Sequence, residues 1–194
     1  MFEKKTLEGK SISLEPLSTK HKEELQEAIL DGELWKLFTT IVPPIDKIDT
    51  FLQKTQEEYE SGFGLSYAIV DKKSNKVVGS TRFRATSFSH NKTEIGFTFI
   101  AKSYQKSYVN TESKLLLLTY AFEEMGFTRV EFMTDFLNHT SRNAILKLGA
   151  KEEGVLRNYH TMPNGRVRDS VMFSIIQNEW VGVKEHLEFK LNNH

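Results

Sequence analysis

The hydrophobic and polar positions of this chain change period several times, and each change predicts an element. Residues 11–17, Ser-Ile-Ser-Leu-Glu-Pro-Leu, alternate polar and apolar and predict a strand. Ser18 or Thr19 caps a helix with Leu25, Ala28 and Ile29 on one face and Gly32 at its end. Residues 33–42 hold Trp35, Leu37, Phe38 and Ile41 without a clean period, and Pro43-Pro44 breaks the run. Asp46 and Asp49 open a second helix whose buried stripe is Ile48, Phe51, Leu52 and Tyr59, closed by Gly62 and Gly64. Strands over 65–70 and 76–84 flank a polar turn at 71–75, and a third strand covers 94–100 after a loop at 87–92. From Thr111 the period becomes helical. Leu115, Leu118, Phe122 and Met125 form a stripe, widened by Leu116, Leu117 and Ala121 and stopped by Gly126, so this helix is expected to be deeply buried.

Residues 129–134 form the next strand, one helix away from 94–100, which predicts a parallel pair with a right-handed crossover. A short helix over 141–148 ends at Gly149. Strands over 151–159 and 167–176 join through Pro163-Asn164-Gly165, a strong hairpin turn. A terminal helix carries Trp180, Val183 and Leu187 on one face, which packs either on its own domain or on a second copy in a homodimer. The order is β-α-α-β-β-β-α-β-α-β-β with a C-terminal helix. That order is an α/β fold, a mixed sheet with helices on both faces, in one domain over 1–194.

Composition narrows the class. With 39% hydrophobic and 27% charged residues the chain has the make-up of an ordinary globular protein. Lys+Arg and Asp+Glu balance at 26 each, so no net field draws it to nucleic acid or to an anionic membrane. The absence of cysteine excludes disulfides, thiolate metal sites and a covalent acyl-cysteine mechanism. The opening MFEKKTLEGK lacks an apolar targeting core and no later run is long enough to span a bilayer, so a cytoplasmic protein is expected. None of the six histidines shows ligand spacing, and no metal is expected.

The candidate chemistry lies between the 94–100 strand and the buried helix. Residues 101–110 form a polar turn with Lys102, Gln105, Lys106 and Ser107, leading into a helix start whose unpaired N–H groups attract phosphate. Gln105-Lys106-Ser107-Tyr108-Val109-Asn110 resembles the acetyl-CoA loop of the GNAT N-acetyltransferases, Gln/Arg-x-x-Gly-x-Gly/Ala, with Tyr108 and Asn110 at the two small positions. The continuation VNTESKLLLLTYAFEEMGFTRVEF is similar to the Rim-type branch, which acetylates ribosomal-protein N-termini. The element order matches that fold from about Ser11 to Ile176, and the run 143–169 with VMFSI and Glu179-Trp180 resembles the tail of the same branch. Within that tail Arg157, Arg168 and Asp169 are expected in ion pairs.

The resemblance implies a set of roles. Backbone of Phe99 and Ile100 holds the pantetheine arm beside a splayed neighbouring strand, and Gln105, Lys106, Ser107, Tyr108, Val109, Asn110 and Thr111 hold the phosphates. Asn138 of Asn138-His139-Thr140-Ser141 contacts the cofactor, and Ser141 protonates the leaving thiolate. On the residues alone, Asn138 and Asn110 read equally well as helix caps. The acceptor is a primary amine, which must be neutral to attack. Glu94, the Glu of Glu-Ile-Gly, is the expected base; on the residues alone Tyr159 and His160 either face the acceptor or are ordinary edge-strand aromatics, and Trp35, Phe38 and residues 63–67 line the acceptor side. The alternative is a non-catalytic acyl-CoA-binding or regulatory protein on the same fold, motivated by Tyr108 and Asn110.

Overall fold

The computed structural model describes residues 1–193. Eight strands form one sheet in the order β1-β2-β3-β4-β5-β6-β8-β7. They are β1 (Leu7–Glu8), β2 (Ile12–Pro16), β3 (Leu65–Asp71), β4 (Lys76–Ser87), β5 (Lys92–Ile100), β6 (Arg129–Asp135), β7 (Lys151–Thr161) and β8 (Val167–Ile176). Neighbouring strands pair antiparallel except β5 and β6, which run parallel across the intervening helix. The helices are α1 (Lys22–Leu30), α2 (Ile48–Glu60), α3 (Tyr108–Thr119), α4 (His139–Lys147) and α5 (Trp180–Asn192).

Two cores lie on opposite faces of the sheet. Val109, Leu117, Leu118 and Ala121 of α3, Ile145 of α4 and Trp180, Val183 and Leu187 of α5 share one core with Tyr67, Phe83, Ile95 and Ile100. Leu25 and Ile29 of α1 and Ile48 and Leu52 of α2 form the other with Ala68, Val70, Val77 and Phe99. Trp180 stacks on Phe122 with ring centroids 5.3 Å apart, so the apolar face of α5 is spent on its own domain, against the end of α3.

The structure revises several boundaries. The short β1 carries no pattern of its own; it forms because Leu7 and Glu8 pair with Leu14 and Ser13 of β2. Helix α3 starts at Tyr108 rather than Thr111, because Ser107 rather than Asn110 is its N-cap: Ser107 Oγ accepts from Val109 N at 3.3 Å. Of the expected stripe, Leu118 and Phe122 are buried, whereas Leu115, Leu116 and Met125 are half-buried at its margin. The last turn widens to a π-helix over Tyr120–Glu124 before Gly126 (φ 66°) ends it. The β7–β8 turn forms as expected, with Gly165 at φ 81° and Met162 N donating to Arg166 O at 2.8 Å.

Candidate active site

The site begins where two parallel strands part. β5 and β6 pair only over Lys92↔Arg129, Thr93↔Val130 and Glu94↔Glu131. Beyond Glu94, β5 stays with β4 as far as Ile100, while β6 stays with β8 as far as Asp135. A wedge-shaped gap therefore opens between them, with Glu94 and Glu131 at its apex. Backbone groups along its two edges have no strand partner, and buried backbone in that condition calls for a ligand. Ala101 N turns toward β4 and donates to Val78 O at 2.8 Å. Strand alternation then points the polar groups of Ile100 into the gap.

A β-bulge re-aims the side chains of β5 midway along this gap. Ser80 pairs with Phe99 and Arg82 with Gly96, so Thr81 alone faces both Phe97 and Thr98. Phe97 takes φ 48°, a left-handed conformation that costs a non-glycine residue about 1 kcal/mol or more. Ile95, Thr98 and Ile100 consequently share the α3 face, whereas Phe97 lies on the opposite face between two guanidiniums. Its ring centroid is 3.8 Å from Arg82 Cζ and 4.9 Å from Arg84 Cζ.

At the wide end, the turn into α3 is pinned by its own side chains. Gln105 Nε2 donates to Ile100 O at 2.9 Å, so the Gln105 side chain braces the turn. Lys106 is exposed at φ 59°, and Ser107 Oγ donates to Tyr104 O at 2.6 Å. Tyr108 does not fill the space where the family motif has a small residue. Its hydroxyl donates to Asp71 on β3, which together with burial pushes the phenol up to about 12. Asn110 and Thr111 are half-buried in the first turn, and Asn110 O accepts from Ser113 Oγ at 2.9 Å. Across the gap, Asn138 Oδ1 accepts from Ser141 N at 3.0 Å and caps α4. The Ser141 hydroxyl donates to none of the described residues and is half-buried.

The face opposite α3 is charged near the apex. Glu94 is buried and accepts from Arg84 Nη1 at 3.0 and 3.2 Å. Burial pushes its carboxyl above the usual carboxylate range, and the Arg84 charge only partly offsets this. Glu131 is held by Arg129 Nε at 2.7 Å and Lys92 Nζ at 3.1 Å. At the far end Asp135 pairs with Arg166, which also donates to Phe38 O at 3.2 Å and lies over the Phe38 ring. The α1–α2 segment thus meets the β7–β8 hairpin across the site. His160 is pulled down by burial and by the charges of Arg168 and Arg84, and its ring lies edge-on to Tyr159 at 4.7 Å. The ion pairs expected of Arg157, Arg168 and Asp169 do not form among the described residues. Arg168 Nε donates to Ser170 Oγ at 3.1 Å, its same-face neighbour two residues along β8, and Asp169 Oδ1 accepts from Asn158 N of β7 at 2.7 Å. Within 63–67, Tyr67 is sealed in the α3-side core, while Phe63 lines a shallow cleft with Lys54 and Glu58 away from the gap.

Residues 11–151 match the acetyltransferase (GNAT) domain model. The chain belongs to the GNAT acetyltransferases. It is similar to Bacillus subtilis YdaF, provisionally named a ribosomal N-acetyltransferase, with 29% identity over 89% of this chain and 95% of that protein. It is also similar to the FsC-acetyl coenzyme A-N(2)-transacetylase of Aspergillus fumigatus, with 26% identity over 93% of this chain and 80% of that protein. A solved GCN5-related N-acetyltransferase from Brucella melitensis superposes with a TM-score of 0.86 at 29% identity, covering 97% of this chain and 86% of that one. Family membership makes this chain an acetyl-CoA-dependent N-acetyltransferase. Among the described residues, no helix is long and apolar enough to cross a membrane, and no group of three or more His, Asp or Glu is placed to hold a metal ion.

The acetyltransferase also carries a charged group that the sequence reading passed over. Lys114, in the middle of α3, is 5% exposed, and its Nζ donates to Thr98 Oγ1 at 2.7 Å and Thr81 Oγ1 at 2.9 Å. Burial pulls it down to about 7, and among the described residues no carboxylate lies within ion-pair distance. One signal for it was available: Lys114 falls on the same helical face as Leu117, Leu118 and Ala121, where a solvated lysine has no place.

Proposed function

We propose that this GNAT enzyme moves the acetyl group of acetyl-CoA onto the α-amine of a peptide N-terminus by direct attack. The observation that carries the reading is the gap that opens at Glu94, with a buried, raised carboxylate at its apex. The Ile100 N–H, which strand alternation turns into the gap, suits the amide-rich pantetheine arm, whereas Phe99 pairs with Ser80 of β4 and Ile100 O is held by Gln105. The start of α3, from Lys106 through Thr111, presents N–H groups and a partial positive charge suited to the pyrophosphate. With the Tyr108 side chain held by Asp71, the backbone of the turn stays open to a phosphate despite the missing glycine. That arrangement supports acetyl-CoA binding at this turn.

Acetyl-CoA is a substrate here and supplies the activated thioester. The protein's own part is positional and electrostatic. Glu94, pushed above the ordinary carboxylate range, accepts a proton from the acceptor nitrogen, directly or through water. An α-amine loses its proton near pH ~8 and a lysine side chain near ~10.4, so a carboxylate base of this kind suits the former. Asn138 and Ser141 approach from the β6 side, and the Ser141 hydroxyl is free to hydrogen-bond the sulfur. The likeness to YdaF supports a protein acceptor. The A. fumigatus relative is named for a small-molecule transfer, so the panel below contains both classes.

The test is calorimetric titration with acetyl-CoA followed by thiol release over N-terminal peptides, lysine peptides and small amines. Turnover on N-terminal peptides alone is the expected result. Turnover confined to small amines would overturn the acceptor assignment, and binding without turnover on any class would restore the regulatory reading.

A further inference from the structure

We propose that Thr98, with the Lys114 ammonium behind it, is the proton source for the thiolate that leaves acetyl-CoA. The proposal rests on the reading of the gap as the acetyl-CoA site. Lys114 is where the fold alone gives no account of itself. A methionine, one atom shorter, would fill most of the same space in the α3-side core without placing a charge there. The ammonium is kept, and it is aimed at the one stretch of β5 that borders the gap.

The bulge at Phe97 is what creates this alignment. Under regular alternation from Ile95, residue 98 would face α1 and α2; the extra residue turns Thr98 toward α3 instead. Thr98 is half-buried on the unpaired part of β5, whereas Lys114 is sealed. The hydroxyl therefore links an ammonium that solvent does not reach to a gap that the substrate does. Thr98 lies about 10 Å past the apex along β5, and the end of β6 lies about 13 Å past it. Ser141 lies in the first turn of α4, which follows that end on the β6 side of the gap.

Counting hydrogens completes the arrangement. Two of the ammonium protons go to Thr81 and Thr98, and the two hydroxyl oxygens are 2.8 Å apart. With the Thr81 proton placed on Thr98 Oγ1, that oxygen accepts two hydrogen bonds and its own proton is left to point into the gap. Ser141, by contrast, has no charged group behind it.

In the step itself the amine lone pair forms the new C–N bond, and the electron pair of the C–S bond goes to sulfur. Thr98 Oγ1 gives its proton to that sulfur as Lys114 Nζ gives one to Oγ1. Coenzyme A departs as the thiol and Lys114 is left as a neutral amine. The proton shed by the acceptor nitrogen goes to Glu94. Once the products leave, water in the gap reprotonates Lys114 through Thr98 and takes the proton from Glu94, so the net movement is one proton from nitrogen to sulfur.

The experiment compares wild type with Lys114→Met, Thr98→Val and Thr98→Ser, on the best acceptor of the panel. Binding of acetyl-CoA is read by calorimetry, folding by thermal melting, and kcat with acetyl-CoA and with its selenoester analogue. A selenol is a much stronger acid than a thiol, so its anion leaves without being protonated. The expected result is that Lys114→Met and Thr98→Val fold, bind acetyl-CoA as wild type does and lose ~10²-fold in kcat on the thioester. On the selenoester the same variants lose far less, and Thr98→Ser retains the wild-type rate. An unchanged kcat in Lys114→Met, or equal losses on both substrates, would overturn the proposal. Wild type failing to bind acetyl-CoA would instead overturn the reading of the gap on which it rests.

Discussion

Replacing Lys114 by methionine should make the protein more stable, and the gain should fade as the pH is raised. The fall of the Lys114 pKa from 10.5 to about 7 corresponds to about 5 kcal/mol of unfavourable burial when the side chain is charged. Methionine keeps the aliphatic stem and leaves Thr81 and Thr98 bonded to each other at 2.8 Å. Some of the gain is lost with the two ammonium hydrogen bonds, so the net stabilisation at about pH 6 should be about 1–4 kcal/mol. The sign of the pH dependence follows from linkage. From about 7 to 10.5 the unfolded chain holds the lysine proton and the folded chain does not, so wild type gains stability with rising pH across that window. The variant lacks the group and shows no such rise. Urea unfolding of both proteins at about pH 6 and about pH 10 measures the difference, with each kcal/mol moving the melting temperature about 2–4 °C for a chain of this size. A variant less stable than wild type at the lower pH would refute the reasoning, as would a gap between the two that stays constant. Either result would mean that the ammonium is well solvated where it sits.

Further predictions concern the apex and the turn. Glu94→Gln should lower kcat by ~10²-fold, and the wild-type rate should fall as the pH drops through the raised Glu94 pKa, because only the carboxylate accepts a proton; a pH–rate profile checks both. Gly96→Ala places a Cβ 2.8 Å from Glu94 Oε1 and should displace the carboxylate, reducing kcat while acetyl-CoA binding measured by calorimetry stays unchanged. Tyr108→Phe should cost about 1–3 kcal/mol in chemical unfolding, because Asp71 loses its phenol donor and retains only those of Ser74.

How much of this was legible beforehand depends on how local each feature is. The parallel pairing of β5 and β6 follows from one strand, one buried helix and a second strand in sequence, and the gap follows from the resemblance carried by residues 105–143. Glu94 stands at the apex because strand 94–100 begins its unpaired stretch there. The bulge was not legible. Its left-handed residue is Phe97, and nothing in Gly-Phe-Thr-Phe announces a positive φ. The role of Tyr108 was hidden for a different reason, since its partner Asp71 is 37 residues away and belongs to another strand. Lys114 reads as a solvated side chain unless its place on the apolar stripe is weighed against its charge. Arg168 fails as an ion-pair partner because strand alternation puts Ser170, two residues on, beside it on the same face of β8.

These unread features are connected, and the connection explains the cost of the Phe97 conformation. A regular β5 would put Thr98 on the charged face with Glu94 and leave the Lys114 ammonium without that hydroxyl. The bulge assigns the two groups proposed to handle protons to opposite faces of one strand: Glu94 outward, beside Arg84, and Thr98 inward, above Lys114. A base and an acid that met directly would neutralise each other, as close charged pairs do, and neither would be available to the substrate. Kept on two faces of the sheet and meeting only at the gap, they exchange protons through the reacting atoms instead. The strain at Phe97, shared by the two guanidiniums that hold its ring, is the structural means of that separation.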